Sequence, residues 1–178
     1  MLTVSDLLNS TDAVGTWTLD ANRSSFSFKN KTMWGLMNVK GRFTEFTGEG
    51  HLDAGGKVTG RVDVKAESVT TGIKPRDNHL RSADFFDAQH HPDITVTVTG
   101  ADSAGDNEVN VQANLSIRGN TLAMPLRAKV EVLDGGAVRL TTTTTVDRER
   151  LGVSGNMVGM IPKTTTLFAD AVFRRTGG

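Results

Sequence analysis

The chain has 178 residues, no cysteine, and 20 basic against 20 acidic side chains. That length suits one domain with a real core, and the charge balance leaves no strong field to draw nucleic acid or an anionic membrane surface. Without cysteine there are no disulfides, thiolate nucleophiles or cysteine-bound metals, and no stretch approaches the ~20 apolar residues of a membrane-spanning helix.

Residues 1–15 predict a loosely tied N-terminal arm with a short helical turn around Ser5 to Leu8, and residues 16–178 a single domain. The start carries no basic segment followed by a long apolar run, so the expected compartment is the cytoplasm. From Thr16 onward the dominant signal is period two, the mark of strands with one buried face. Phe26 and Phe28 alternate with Ser25 and Ser27. Val58, Gly60, Val62, Val64 and Ala66 share one parity. Ile94, Val96 and Val98 begin the next row, and Val109 to Ile117 and Leu122 to Val132 follow. Val138 to Val146, then Leu167, Ala169, Ala171 and Phe173, close the set.

Glycine-centred reversals fall where this reading needs them, at Asp53 to Lys57, Ser103 to Asn107 and Asp134 to Ala137. Counting Trp17 to Lys29 as one bent element, the pattern gives eight strands, joined mostly by short hairpins and so antiparallel. Eight such strands make a sandwich or close into a barrel, and closure removes the edges that long Thr/Val strands expose. Many inward positions are small: Gly60, Ala66, Ala113, Ala128, Thr142, Thr144, Ala169 and Ala171. The bulk concentrates in Phe26, Phe28, Phe43 and Phe46. One wall of small residues facing one of aromatics predicts a hollow interior, with a packed sandwich as the rival.

Four histidines, at 51, 79, 90 and 91, invite a metal hypothesis. Adjacent histidines on a strand point to opposite sides, and no His-x-His or His-Glu-x-x-His spacing occurs, so no metal site is expected. No Gly-x-Ser-x-Gly elbow supports a serine hydrolase. The densest chemistry lies in "RDNHLRSADFFDAQHHP", Arg76 to Pro92. Asp77 reads as a helix N-cap and Asn78 to Phe86 as about two helical turns. With Leu80, Phe85 and Phe86 apolar and the charges on the other side, the segment predicts a lid or plug at one barrel mouth, with a helix that only seals the core as the rival.

The order "WTLDANRSSFSF", "VKGRFTEFTGE", "SVTTGIKPRDNHLRSADFFDAQHHPDITV", "LSIRGNTLAMPL", "DRERLGV" resembles the YceI-like family of lipocalin-like, polyisoprenoid-binding barrels. The likeness runs from Thr16 to Phe173. It implies an all-β, eight-stranded antiparallel lipocalin-like barrel, with a short helix in the Asp77–Phe86 insertion. It also implies an elongated apolar channel holding an isoprenoid or similar lipid, often in a dimer. Many members are periplasmic with a cleaved leader, which is not seen in this sequence. The likeness carries over no catalytic residue.

Energetics favour a long tail. Each buried methylene contributes roughly 0.8 kcal/mol, so about fifteen supply ~12 kcal/mol against an association cost of roughly 4–15. Strands of about eleven residues, tilted, enclose a channel roughly 28 Å long. The expected lining is Phe26, Phe28, Phe43 and Phe46 with Val62, Val64, Ile94, Val96, Leu115 and Met124. Leu80, Phe85 and Phe86 belong to the lid and Trp34 to the entrance. The leading expectation is a non-enzymatic binder or carrier of an isoprenoid such as a quinone or polyprenyl phosphate, with no cofactor beyond that lipid. One rival is a lipid-modifying enzyme using Asp77, His79 and Arg81. The other is a filled-barrel interaction or stress protein.

Overall fold

The computed structural model describes residues 2–32, 37–155 and 163–178. Twelve strand segments carry the architecture. They are β1 (Gly15–Leu19), β2 (Ser25–Thr32), β3 (Met37–Phe43), β4 (Phe46–Leu52), β5 (Val58–Lys65), β6 (Val69–Thr70), β7 (Asp93–Ser103), β8 (Glu108–Ile117), β9 (Asn120–Ala123), β10 (Leu126–Val132), β11 (Val138–Asp147) and β12 (Thr164–Gly177). Among the described residues two α-helices accompany them, α1 (Val4–Leu8) before β1 and α2 (Lys74–Arg81) between β6 and β7.

Hydrogen bonding runs β1–β4–β5–β7–β8–β10–β11–β12, and β12 returns to β1. Eleven of the twelve segments make eight staves, because three staves are broken. β1 and β2 lie end to end along β12, with Leu19 opposite Phe173 and Phe26 opposite Ala169. β9 and β10 likewise share β8 as partner. β3 and β4 form the third broken stave: β3 pairs with β2, and β4 with β1 and β5, completing an antiparallel, up-and-down closed barrel. Closure leaves no through-going edge to aggregate. The two-residue β6 adds to the free side of β3.

Local chemistry explains the breaks and turns. The β8–β9 hairpin turns on Arg118 and Gly119, both at positive φ, the conformation that matches the twist of a two-residue hairpin. The turn between β1 and β2 folds back on β12: Asp20 donates its N–H to the Val172 carbonyl at 2.7 Å, and Ser24 Oγ accepts from Val172 N at 2.9 Å. Val172 is therefore fully buried on the outer side of the barrel. In β7 a register shift between Val98 and Gly100 brings Ala101, not Gly100's neighbour Thr99, into line with Val111.

The N-terminal segment departs from the expected loose arm. Thr3 and Asp6 form a reciprocal capping box on α1, at 2.9 and 3.1 Å. Val4 is buried and donates its N–H to Asp106 in the β7–β8 turn at 2.8 Å. Its apolar face gives this short helix the tertiary anchor that local propensity alone could not. The arm thus seats across one mouth of the barrel.

Candidate functional site

The opposite mouth is covered by the segment from α2 to Pro92. The helix starts earlier than the sequence predicts, at Lys74, with Pro75 in its first turn, where a missing N–H costs nothing. Asp77 is inside the helix, not its N-cap, and Phe85 and Phe86 lie in turns beyond its end at Arg81. Asp77 still satisfies the residues leading in. It is 6% exposed, and its carboxylate accepts from Thr71 N at 2.7 Å, Thr71 Oγ at 2.5 Å and Thr70 Oγ at 3.3 Å. Burial pushes this carboxyl up, but those bonds and the charge of Arg81 outweigh it and hold the group below its ordinary range.

The other charged side chains of the segment hold it down. Arg81 donates to the carbonyls of Glu67 and Val69, at 2.7 and 2.9 Å, clamping α2 to β6. Arg76 donates to Thr71 Oγ at 2.8 Å, extending the network that starts at Asp77. From across the barrel, Arg118 Nη1 donates to the carbonyls of Ala83 and Phe85, both at 2.7 Å. Rings complete the closure: Phe86 contacts Phe28 and Phe43 of the barrel wall, with centroids 6.3 and 5.8 Å away. Gly155 passes so close that a Cβ there would stand 2.3 Å from the Asp84 carbonyl.

Under this lid lies a cavity of about 320 Å³. Its apolar wall comprises Phe28, Val39, Phe43, Leu80, Phe85, Phe86, Ile94, Leu115, Ile117, Val146, Leu151, Val153 and Leu167. The polar lining is Asn30, Arg76, His79, Arg148 and Thr165. Arg148 is 5% exposed and donates to the carbonyls of Val153 and Gly155 at 2.6 and 2.9 Å. Burial pulls its guanidinium below the usual arginine value, opposed by the charges of Glu149 and Asp147. The chamber offers an apolar enclosure with a few hydrogen-bonding groups, the lining typical of sites for amphiphilic small molecules.

A second cavity, about 190 Å³, lies at the other end beneath α1. Val4, Leu7, Leu8, Trp17, Leu52, Val58, Val62, Val98, Val109 and Leu140 are among its walls. The two linings share no residue. The single 28 Å channel expected from the sequence is therefore two chambers. Between them runs a belt of packed side chains in which the rings of Phe26 and Phe46 meet edge to face at 4.8 Å.

The residues expected to line a channel divide accordingly. Phe28, Phe43, Leu80, Phe85, Phe86, Ile94 and Leu115 surround the upper chamber, and Val62 faces the lower one. Phe26, Phe46, Val64, Val96 and Met124 line neither chamber and join the cluster between them. Trp34 lies outside the described residues. Sequence reasoning misses Asn30, Val39, Arg76, Ile117, Val146, Arg148, Leu151, Val153, Thr165 and Leu167 as lining. Parity is the available signal for some: Asn30 continues the Phe26–Phe28 row, and Arg148 continues the row through Thr144 and Val146.

The residues suggested for catalysis do not converge. Asp77 faces Thr70 and Thr71, Arg81 faces backbone carbonyls, and His79 Nε2 lies 2.9 Å from Asp84. Among the described residues, no group of three or more His, Asp or Glu is placed to hold a metal ion. No helix among them is long and apolar enough to cross a membrane.

Fold and chamber together define an eight-stranded antiparallel barrel with a lidded, apolar hollow. Residues 17–173 match the model of the YceI-like domain, and the chain belongs to that family. A UPF0312 protein of Shewanella baltica is 32% identical over 107 residues, 59% of this chain and 56% of that protein. One from Azotobacter vinelandii is 35% identical over 91 residues, 50% of this chain and 47% of that protein. The matches thus span about half the length of these relatives. Among solved structures, BcnA of Burkholderia cenocepacia superposes with TM-score 0.78 at 19% identity, covering 86% of this chain and 98% of that one. A polyisoprenoid-binding domain from Saccharophagus degradans gives 0.74 at 18% identity, covering 90% and 98%. At such identities the two structures establish the shared fold.

Proposed function

We propose that the protein binds an isoprenoid or similar long-chain amphiphile, with the apolar part in the upper chamber, and that it does so without catalysing a reaction. The chamber itself carries this reading: a hollow of about 320 Å³, apolar almost throughout, inside a barrel closed by a lid. Its size falls at the lower end of small-molecule sites. The family and the polyisoprenoid-binding neighbour support the same ligand class. Affinity comes from buried methylenes at roughly 0.8 kcal/mol each, while Asn30, Arg148 and Thr165 orient whatever polar group enters. The separate engagements of Asp77, His79 and Arg81 favour binding over the enzymatic rival. A carrier role, a quinone cargo and a dimer belong to the same proposal.

Organic extraction and mass spectrometry of the purified protein, with native mass spectrometry for stoichiometry, test it. The expected result is a co-purifying prenyl lipid, or uptake of an added prenyl alcohol at one per chain. Failure of both, with no lipid recovered and no alcohol taken up, would overturn the proposal.

A further inference from the structure

Two observations stand apart from the upper chamber. One is the belt. Phe26 lies opposite Ala169, and Phe46 lies opposite Val64, two residues before Gly48. The two rings stand on neighbouring staves and touch edge to face at 4.8 Å, within the packed cluster and outside the lining of either chamber. The pair is therefore the aromatic part of a belt that Val64, Val96 and Met124 complete, with a chamber on either side.

The other is the lower chamber. It is built from both α1 and the barrel wall, and part of its floor carries no side chain. Gly50 and Gly60 pair directly across β4 and β5. A Cβ added at Gly50 would meet nothing nearer than 3.7 Å, and the residue needs no positive φ. Alanine would fit there and would rigidify the strand, yet the space is left open at a cost in stability. The apolar side chains of Val58, Val62, Val98 and Leu140 enclose it.

We propose that the Phe26–Phe46 pair sets the length of tail the upper chamber accepts by closing it off from the lower chamber, an apolar hollow able to take the tail end once the pair is shortened. This rests on the isoprenoid reading and adds to it a specificity determinant. Shortening one ring joins the two hollows into one bore, and every methylene that enters the lower chamber leaves water. Each then raises affinity about fourfold, the equivalent of ~0.8 kcal/mol.

The test uses prenyl alcohols of increasing length (geraniol, farnesol, geranylgeraniol and solanesol) against the whole protein. Binding to the parent chain is expected to rise with length and then level off. In Phe46→Ala the levelling moves to a longer alcohol, with at least about a tenfold gain for the first alcohol beyond the parent's limit. Adding Val98→Phe to Phe46→Ala fills the lower chamber and returns the levelling to the parent position. Val98→Phe alone leaves the shorter alcohols unaffected. Phe46→Leu, a milder change, and near-UV circular dichroism of each variant separate misfolding from a change in preference. If folded Phe46→Ala or Phe46→Leu levels off where the parent does, the partition proposal is wrong and the binding function stands. If the parent binds none of the alcohols, both fall together.

Discussion

Replacing Asp77 with alanine is the most direct probe of how the lid is held. The carboxylate is 6% exposed and accepts three hydrogen bonds, two from Thr71 and one from Thr70. Thr71 Oγ in turn accepts from Arg76, whose side chain lines the upper chamber. A hydrogen bond to a charged acceptor nets ~1.5–3 kcal/mol, and a buried N–H left without a partner costs ~1–3. Water reaches part of the vacated site, so the sum is well below three full bonds. The expected loss is about 3 kcal/mol, roughly a hundredfold in the folding equilibrium. Asp77→Asn retains the shape and one acceptor, and is expected to lose about half as much.

The same group fixes the sign of a pH effect. Its folded pKa lies below the ordinary value of 3.8, so the unfolded chain holds the proton more tightly. The stability it contributes is complete above that value and disappears as the pH falls through the lower, folded one. Urea denaturation followed by circular dichroism, at neutral pH and then in steps into the acid range, measures both. The gap between parent and Asp77→Ala should narrow on acidification. A loss under about 1 kcal/mol at neutral pH, or a gap that widens in acid, would refute this role for the Asp77 carboxylate in holding the lid.

Two further substitutions probe the lid from other sides. Arg118→Ala removes both 2.7 Å bonds to the Ala83 and Phe85 carbonyls, and should cost ~1–2 kcal/mol while speeding hydrogen exchange across residues 82–91. Unchanged protection there would show that Arg118 is not the latch. Gly41→Ala would place its Cβ 2.2 Å from Phe28 Cζ, so the ring must leave its position against Phe43 and Phe86. The expected cost is ~2–3 kcal/mol with loss of near-UV signal, and full retention of both would mean the wall yields in some other way.

The strand rows are legible in the sequence because period-two alternation is set by the pleat, independent of distant contacts. Parity fails only where something local alters it. The shift between Val98 and Gly100 brings Ala101 inward, and the β1–β2 turn buries Val172 from outside. The start of the lid helix is hidden for a similar reason. Pro75 bars the interior of a strand or helix, but a first turn accommodates it, so the helix begins before it. Arg148 is hard to recognise as lining because an arginine at a strand's end reads as a solvent-facing group. Its burial depends on carbonyls of Val153 and Gly155, which only the folded loop brings near.

The division into two chambers lies on a different level of description. Parity states which side of a strand a ring occupies, but not how far along the barrel axis it sits. That height follows from tilt and stagger between staves, which no single strand encodes. Phe26 and Phe46 meet because β2 is bonded to β3 and β4 to β1, which makes their staves neighbours and brings the two rings to one height. Composition indicates both the aromatics and the small residues needed for a hollow barrel. Their placement decides whether that hollow is continuous: glycines at 48, 50 and 60 withhold bulk from the wall, while Phe26 and Phe46 add it back in the packed cluster between the chambers. In the proposed binding mode, tail-length preference would follow from this belt within an interior whose capacity is set by the whole barrel.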